Sequence, residues 1–201
     1  MGLSFSEQRD SHTTSVVSGA TNLVILDRDG VINRDSDAYI RSVAEFQPLP
    51  GSIEAIARLK RAGYRVAVAT NQSGVGRGYF DSKALEAMHA RLNELVSAQC
   101  QMPIDLIVYC PHRPEDHCDC RKPEPGLLLR IEAELKTSIA NVPFIGDSIR
   151  DLQAARRVGA RPILVRTGKG RAAETQLEQA NLTSVPVFDD LAAAVADILS
   201  A

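Results

Sequence analysis

Leu23-Val24-Ile25-Leu26-Asp27-Arg28-Asp29-Gly30-Val31-Ile32-Asn33 is the stretch that decides the fold. Its four consecutive apolar residues read as a strand buried on both faces, as in a parallel sheet. The strand runs straight into two carboxylates, Asp27 and Asp29, and in open α/β sheets ligands bind just beyond the carboxyl ends of strands. Gly30 lets the backbone turn where a side chain would interfere. Two acids one residue apart on a non-helical backbone suit a hard cation such as Mg2+, which prefers oxygen ligands and phosphate company. One acid can attack phosphorus while the other moves a proton. Asp and Gly also follow strands simply as turn formers, so the pattern gains meaning only from the strand ends downstream.

Those ends repeat the theme. After Asn33 a polar run, Arg34 to Arg41, is too charged for core and is expected as a loop or small hairpin over the mouth of a site, with Asp35, Asp37 and Arg41 individually solvated. Pro48 to Gly51 punctuates the chain. Ser52 is expected to cap a helix with an apolar stripe at Ile53, Ile56, Ala57 and Leu59, ended by Gly63. A second strand, Tyr64 to Thr70, opens into Asn71-Gln72-Ser73-Gly74-Val75-Gly76-Arg77-Gly78, where hydroxyls, amides and free N–H groups suit a phosphate oxyanion. The glycine spacing fits neither a dinucleotide fingerprint nor a P-loop. A long helix follows, capped by Asp81 or Ser82, with Leu85, Met88, Leu92, Leu95 and Val96 inward and His89 as a packing or surface residue. The third strand is Ile104 to Tyr109.

The segment Cys110 to Cys120 holds three thiols and two imidazoles as C-x-H, five residues, C-x-C. That density fits a closed, structural tetrahedral Zn2+ site made by Cys110, His112, Cys118 and Cys120, with His117 as the competing nitrogen ligand. Free cysteines or a redox pair are the alternatives. Arg121 and Lys122 follow directly, so a pinned loop would hold a cation rigidly at the site. Lys122 suits a phosphate as a point charge, and Arg121 a second phosphate or a sugar. Pro125 starts a helix to about Lys136. The fourth strand, Val142 to Asp147, again ends in an acid, and Asp151 sits on the first turn of the next helix as a ligand, a partner for Lys122 or a helix-dipole acid. A supporting role for Asp151 is favoured. Pro162 to Val165 is a fifth strand, Thr167 to Gly170 a turn, Val185 to Phe188 an edge strand, and a last helix runs from Asp189 or Asp190 to about Leu199.

The 201 residues are 44% hydrophobic with a net charge of −2. This fits one domain, residues 23–201, with a full core, and gives no electrostatic reason to bind nucleic acid or an acidic membrane. Residues 1–22 are polar, lack the apolar centre of a secretory signal, and are expected as a disordered extension. Four cysteines are no disulfide framework; a cytoplasmic monomer is expected.

Taken in order, D-R-D-G, T-N-Q-S, R-K-P and G-D-S-I-R-D resemble the haloacid dehalogenase superfamily of phosphotransferases, and the match spans nearly all of the chain from Leu23. The Cys/His loop is similar to the subgroup of heptose-bisphosphate and histidinol phosphatases, and Thr70 to Phe80 resembles the heptose branch more closely. The resemblance implies a doubly wound, mainly parallel α/β domain without a large cap. It implies Asp27 as nucleophile, Asp29 as acid and base, and Mg2+ on the Asp27 side chain, the Asp29 carbonyl and Asp147. It further implies Thr70 and Lys122 on the phosphoryl group, and Asp35, Tyr39, Asn71, Gln72, Ser73 and Arg121 on the rest of a sugar phosphate. Val31 and Ser148 depart from the superfamily, which often has Thr after D-x-D-G and in some relatives Lys after the last acid; Arg150 can substitute for that Lys. The activity implied is removal of the 7-phosphate of a heptose 1,7-bisphosphate for cell-surface glycan supply. Alternatives are a histidinol-phosphate phosphatase and a catalytically silent, zinc-organised binding protein. At the moment the leaving group departs, Asp29 is expected to be protonated and Asp27 ionised, with Mg2+ on Asp27 and the phosphate charge beside Asp29 setting that order. Arg77 and Arg121 are expected to favour a second anionic or sugar group on the substrate.

Overall fold

The computed structural model describes residues 22–200; the extension expected over residues 1–22 lies, Asn22 apart, outside them. Six strands are present: β1 (Leu23–Leu26), β2 (Arg65–Asn71), β3 (Leu106–Cys110), β4 (Pro143–Gly146), β5 (Arg161–Val165) and β6 (Val187–Phe188). They form one sheet in the order β3-β2-β1-β4-β5-β6, parallel throughout. The helices are α1 (Ser52–Arg61), α2 (Ser73–Gly76), α3 (Ser82–Cys100), α4 (Gly126–Leu135), α5 (Ile149–Arg157), α6 (Gly170–Glu174) and α7 (Leu191–Ser200).

The apolar run of β1 is buried at every position because the strand lies mid-sheet between two helical layers. Alternate residues feed opposite cores. Val24 and Leu26 join the cluster with Ile56, Leu59, Met88, Leu92 and Val195 under α1, α3 and α7. Leu23 and Ile25 join Leu127, Leu128, Ile131 and Ala154 under α4 and α5. The order reverses direction on either side of β1, and this switch opens a crevice at the carboxyl ends of β1, β2 and β4. The doubly wound parallel fold stands as expected. The edge strand is shorter than expected, two residues beside β5.

One expected cap moves. Gly51, at φ 76°, is the residue before α1, and Ser52 is its first residue. Its hydroxyl donates to the carbonyls of Ile32 and Leu49, at 2.6 and 2.9 Å, tying the helix to the loop after β1. A left-handed backbone at the cap position suits Gly, and Ser52 is then free to serve tertiary structure. The expected caps of α3 and α7 hold: Asp81 accepts from the Ala84 N–H and Asp190 from that of Ala193.

Candidate active site

Because the strands run parallel, their chemistry collects at one edge. Asp27 and Asp29 follow β1, Thr70 and Asn71 end β2, Lys122 lies between β3 and α4, Asp147 follows β4, and Lys169 follows β5. They line one cavity of about 230 Å3, whose rim carries Asp35, Tyr39, Ser73, Arg121 and Arg150.

Lys122 is the centre of its floor, 2% exposed. Its Nζ lies 2.8 Å from Asp27 Oδ1 and 2.6 Å from Asp151 Oδ1 and donates to the Ala69 carbonyl at 2.7 Å, so three acceptors match three protons. Burial alone would favour the neutral amine, but Asp151 and Asp27 reverse this and hold the lysine above its ordinary range. The Asn71 side chain brackets the Lys122 backbone, donating to its carbonyl and accepting from its N–H, both at 3.1 Å. Asp151 offers its other oxygen to the Ser148 hydroxyl and N–H, which closes the first turn of α5. It is therefore the partner of Lys122 and a capping acid at once.

Asp147 is buried against two glycines. A Cβ at Gly30 (φ +88°) would stand 2.0 Å from its Oδ2, and one at Gly168 (φ +55°) 2.1 Å. The Lys169 N–H donates to the same oxygen at 2.8 Å. Asp27, Asp147 and Asp151 can each bring a carboxylate oxygen within 4.8 Å of the others. Ionised around one Lys122, they leave two negative charges without a partner, a set that fits a divalent cation. Burial and the neighbouring acids accordingly push Asp27 up to about 7 and Asp147 up to about 8.

Asp29 is arranged differently. Arg28, fully buried, grips it through Nε to Oδ1 at 3.0 Å and Nη2 to Oδ2 at 2.9 Å. The Asn33 and Gln72 amides donate to the same two oxygens, each at 2.8 Å. Burial would raise this carboxyl, but Arg28, Asn33 and Gln72 outweigh it and hold it below the ordinary carboxylate range. In the free protein, then, Asp29 ionises first and Asp27 holds its proton to higher pH; the expected order belongs to the reacting state, with cation and phosphate bound. A cation on Asp27 and a phosphate dianion beside Asp29 would each push back toward the expected order.

At the carboxyl end of β3, Cys110 Sγ lies 3.6 Å from Cys118 Sγ and 3.2 Å from Cys120 Sγ, with 3.5 Å between the last two. His112 Nδ1 is 3.6 Å from Cys110 Sγ and 3.3 Å from Cys120 Sγ. Four donors so converged are close to the edges of a tetrahedron about a metal with bonds of about 2.3 Å to sulfur. His117 caps the short turn Pro114–Asp116 and is not part of the cluster.

The expected site residues fall into three groups. Asp27, Asp29, Thr70, Lys122 and Asp147 meet at the cavity, as do Asp35, Tyr39, Asn71, Ser73 and Arg121. Gln72 does not line it: it is buried beneath Asp29, donating to that carboxylate and to Thr70 Oγ1. Arg77 turns away and pairs with Glu115 at 3.5 Å, leaving the rim to Arg121 and Arg150. The Asp29 side chain stands outside the acid cluster, where Asp151 takes the third place. Sequence reasoning gives no part in the site to Arg28, hidden as the odd residue between two acids, or to Thr167–Gly170, which it reads only as a turn. Its signal was available: it follows a parallel strand of the same sheet, and so opens at the same edge.

A HAD-hydrolase-like family model matches residues 119–194. D-glycero-beta-D-manno-heptose-1,7-bisphosphate 7-phosphatase of Pseudomonas aeruginosa is 56% identical over 89% of this chain and 98% of its own length. That of Pseudomonas putida is 54% identical over 88% and 99%. Among solved structures, D,D-heptose 1,7-bisphosphate phosphatase from B. bronchiseptica, complexed with magnesium and phosphate, superposes with a TM-score of 0.83 at 47% identity, covering 89% of this chain and 98% of its own. With its parallel sheet, its acid-bearing strand ends and relatives matched along almost their whole length, the chain belongs to the heptose-1,7-bisphosphate 7-phosphatase family of HAD-like hydrolases.

Proposed function

We propose that this protein removes the 7-phosphate from D-glycero-beta-D-manno-heptose 1,7-bisphosphate. The observation that carries the bisphosphate over a cationic substrate is the pair Arg121 and Arg150. Both line the cavity, and among the described residues neither has an ion-pair partner. Burial and then the neighbouring Arg150 hold Arg121 below its ordinary range, the mark of a guanidinium lacking an anion. A second phosphate supplies that anion, and the cation of histidinol phosphate does not. The relatives' names support the same substrate and the beta anomer. No described helix is long and apolar enough to cross a membrane, which supports the reading of a cytoplasmic enzyme; that it acts as a monomer built on one domain, 23–201, belongs to the same proposal.

In this reading Asp27 attacks phosphorus. The bond from phosphorus to the sugar oxygen breaks, and Asp29 delivers the proton that oxygen needs to leave. Water then attacks the aspartyl-phosphate, Asp29 takes the water's proton, and inorganic phosphate departs from a regenerated Asp27. Lys122 and the Thr70 hydroxyl line the same cavity and would stabilise the negative charge that collects on the phosphoryl oxygens. Mg2+ bound by Asp27, the Asp29 carbonyl and Asp147 would lower the repulsion between Asp27 and the incoming dianion. Asp35, Tyr39, Asn71, Ser73 and Arg121 bear on the remainder of the sugar. Phosphate release with Mg2+ from heptose 1,7-bisphosphate, histidinol phosphate and fructose 1,6-bisphosphate tests the assignment. A preference for the heptose of about a hundredfold, some 2.7 kcal/mol, is expected. A preference for histidinol phosphate would overturn it, and no release from any ester would favour a catalytically silent protein.

Cys110, His112, Cys118 and Cys120 would hold Zn2+ as a cross-link through the loop that ends in Arg121 and Lys122. About one equivalent of zinc is expected by elemental analysis. Cys118→Ser should remove it and lower kcat/KM by about tenfold or more, by loosening those two cations rather than touching the chemistry. A metal-free preparation of full activity would remove this part of the reading.

A further inference from the structure

His89 reads in sequence as a packing or surface residue, and its surroundings say more. It projects from α3 into the sheet, its ring centroid 6.0 Å from that of Tyr109. Its Nε2 lies 3.3 Å from Arg28 Nη1, in a buried contact between residues 61 apart in sequence. A guanidinium can only donate, so Nε2 accepts and the imidazole is neutral. Burial, then Arg28, push this histidine down to about 3, in keeping with that state. Arg28 thus spends Nε and Nη2 on Asp29 and Nη1 on His89. Its side chain is fully buried, so water cannot stand in for His89.

We propose that His89 is a positioning residue for the phosphatase reaction, which anchors the Arg28 fork and through it fixes the Asp29 carboxylate toward the leaving-group oxygen. The proposal rests on the phosphatase reading. The two bonds to Asp29 let fork and carboxylate shift together; the third, from Nη1 to His89, ties the pair to α3, and both Asp29 oxygens then stay in register. Without the anchor the fork and carboxylate share more than one arrangement, and a misplaced proton donor loses rate rather than affinity.

The measurable consequence depends on the leaving group. A sugar oxygen needs a proton to depart, whereas p-nitrophenolate leaves without one. His89→Phe keeps an aromatic ring and removes the acceptor. Its kcat/KM should fall about thirtyfold on the sugar phosphate and less than about threefold on p-nitrophenyl phosphate. His89→Gln, which keeps an acceptor, should return to within about threefold of wild type on both. His89→Met, nearly isosteric with Gln but without the acceptor, carries the same expectation as Phe should Phe not fold. Equal losses on the two esters, or full activity of a folded acceptor-free variant, would overturn the proposal. A readout independent of turnover is the Arg28 Nε–H resonance: slow to exchange in wild type and in Gln, fast in Phe and Met. If wild type releases phosphate from neither ester, the phosphatase reading fails, and this resonance still decides whether His89 anchors Arg28; its persistence in Phe and Met overturns the anchor.

Discussion

Asp27→Asn is expected to lower kcat/KM by about 10^4-fold or more, because in the proposed mechanism it removes the atom that bonds to phosphorus and not one of its helpers. Asn is nearly isosteric, and Lys122 keeps its partner Asp151 and its bond to the Ala69 carbonyl. The loss is therefore chemical and leaves the fold intact. A stability measurement separates this from misfolding. In the free protein the Asp27 carboxyl sits at about 7, raised from 3.8 chiefly by burial. A carboxyl with a raised folded pKa binds more protons folded than unfolded, so it destabilises as pH rises from about 4 to about 7 and carries its full penalty above. Asn carries no such penalty. Metal-free Asp27→Asn should melt no lower than wild type at pH 8, and any advantage should vanish toward pH 4. An inactive variant that melts at or above wild type marks a residue kept for function at the expense of stability. Retained phosphate release would remove the covalent mechanism.

The central fold was legible because burial on both faces writes itself as an unbroken apolar run, and Leu23 to Leu26 is such a run. Position followed from topology: once β1, β2 and β4 are parallel, Asp27, Thr70 and Asp147 must stand at one edge. The Cys/His loop was legible for a different reason, since residues with so little other use at that density declare a shared partner. What stayed hidden were relations that a linear reading cannot order. Arg28 lies between two acids, and only its side-chain direction shows that it serves one of them. Gln72 is grouped with Asn71 and Ser73 in sequence, but it stands where the chain turns from β2 into α2, and its amide runs to Asp29 and Thr70 while Asn71 and Ser73 line the cavity. Gly168 passed as a turn glycine. Its significance is the Asp147 oxygen that occupies the place of a Cβ, a contact made across the sheet. The different proton affinities of Asp27 and Asp29 in the free protein have the same origin. The two acids are alike in sequence, and three-dimensional neighbours alone give one of them a guanidinium and the other two further carboxylates.

Lys122→Met is the second large effect and acts on fold and reaction together. Lys122 is the one ammonium between Asp27 and Asp151, both buried, with Asp147 close by. Removing one partner of a buried ion pair leaves the other charge without solvent or counterion, which costs about 3–5 kcal/mol. For a chain of this length that is a fall in melting temperature of roughly 10 °C. The pH dependence identifies the cause. Lys122 itself is held above 10.5, so its contribution is complete through neutral pH and would be lost only above that range. The acids decide the rest: without the lysine they escape by taking protons, and those protons come more readily as pH falls. The melting difference should be greatest near pH 8 to 9, above the values of about 7 and about 8 for Asp27 and Asp147, and should shrink toward pH 5. A difference independent of pH would show that the stem of the lysine, which packs near Phe144, matters more than its charge. Turnover should fall by about 10^2 to 10^3, since in the proposed mechanism the charge on the phosphoryl oxygens loses the cation assigned to it. Lys122→Arg should not restore it. A planar fork cannot place three donors on Asp27, Asp151 and the Ala69 carbonyl from one point, so charge without that geometry should recover stability in part and rate hardly at all.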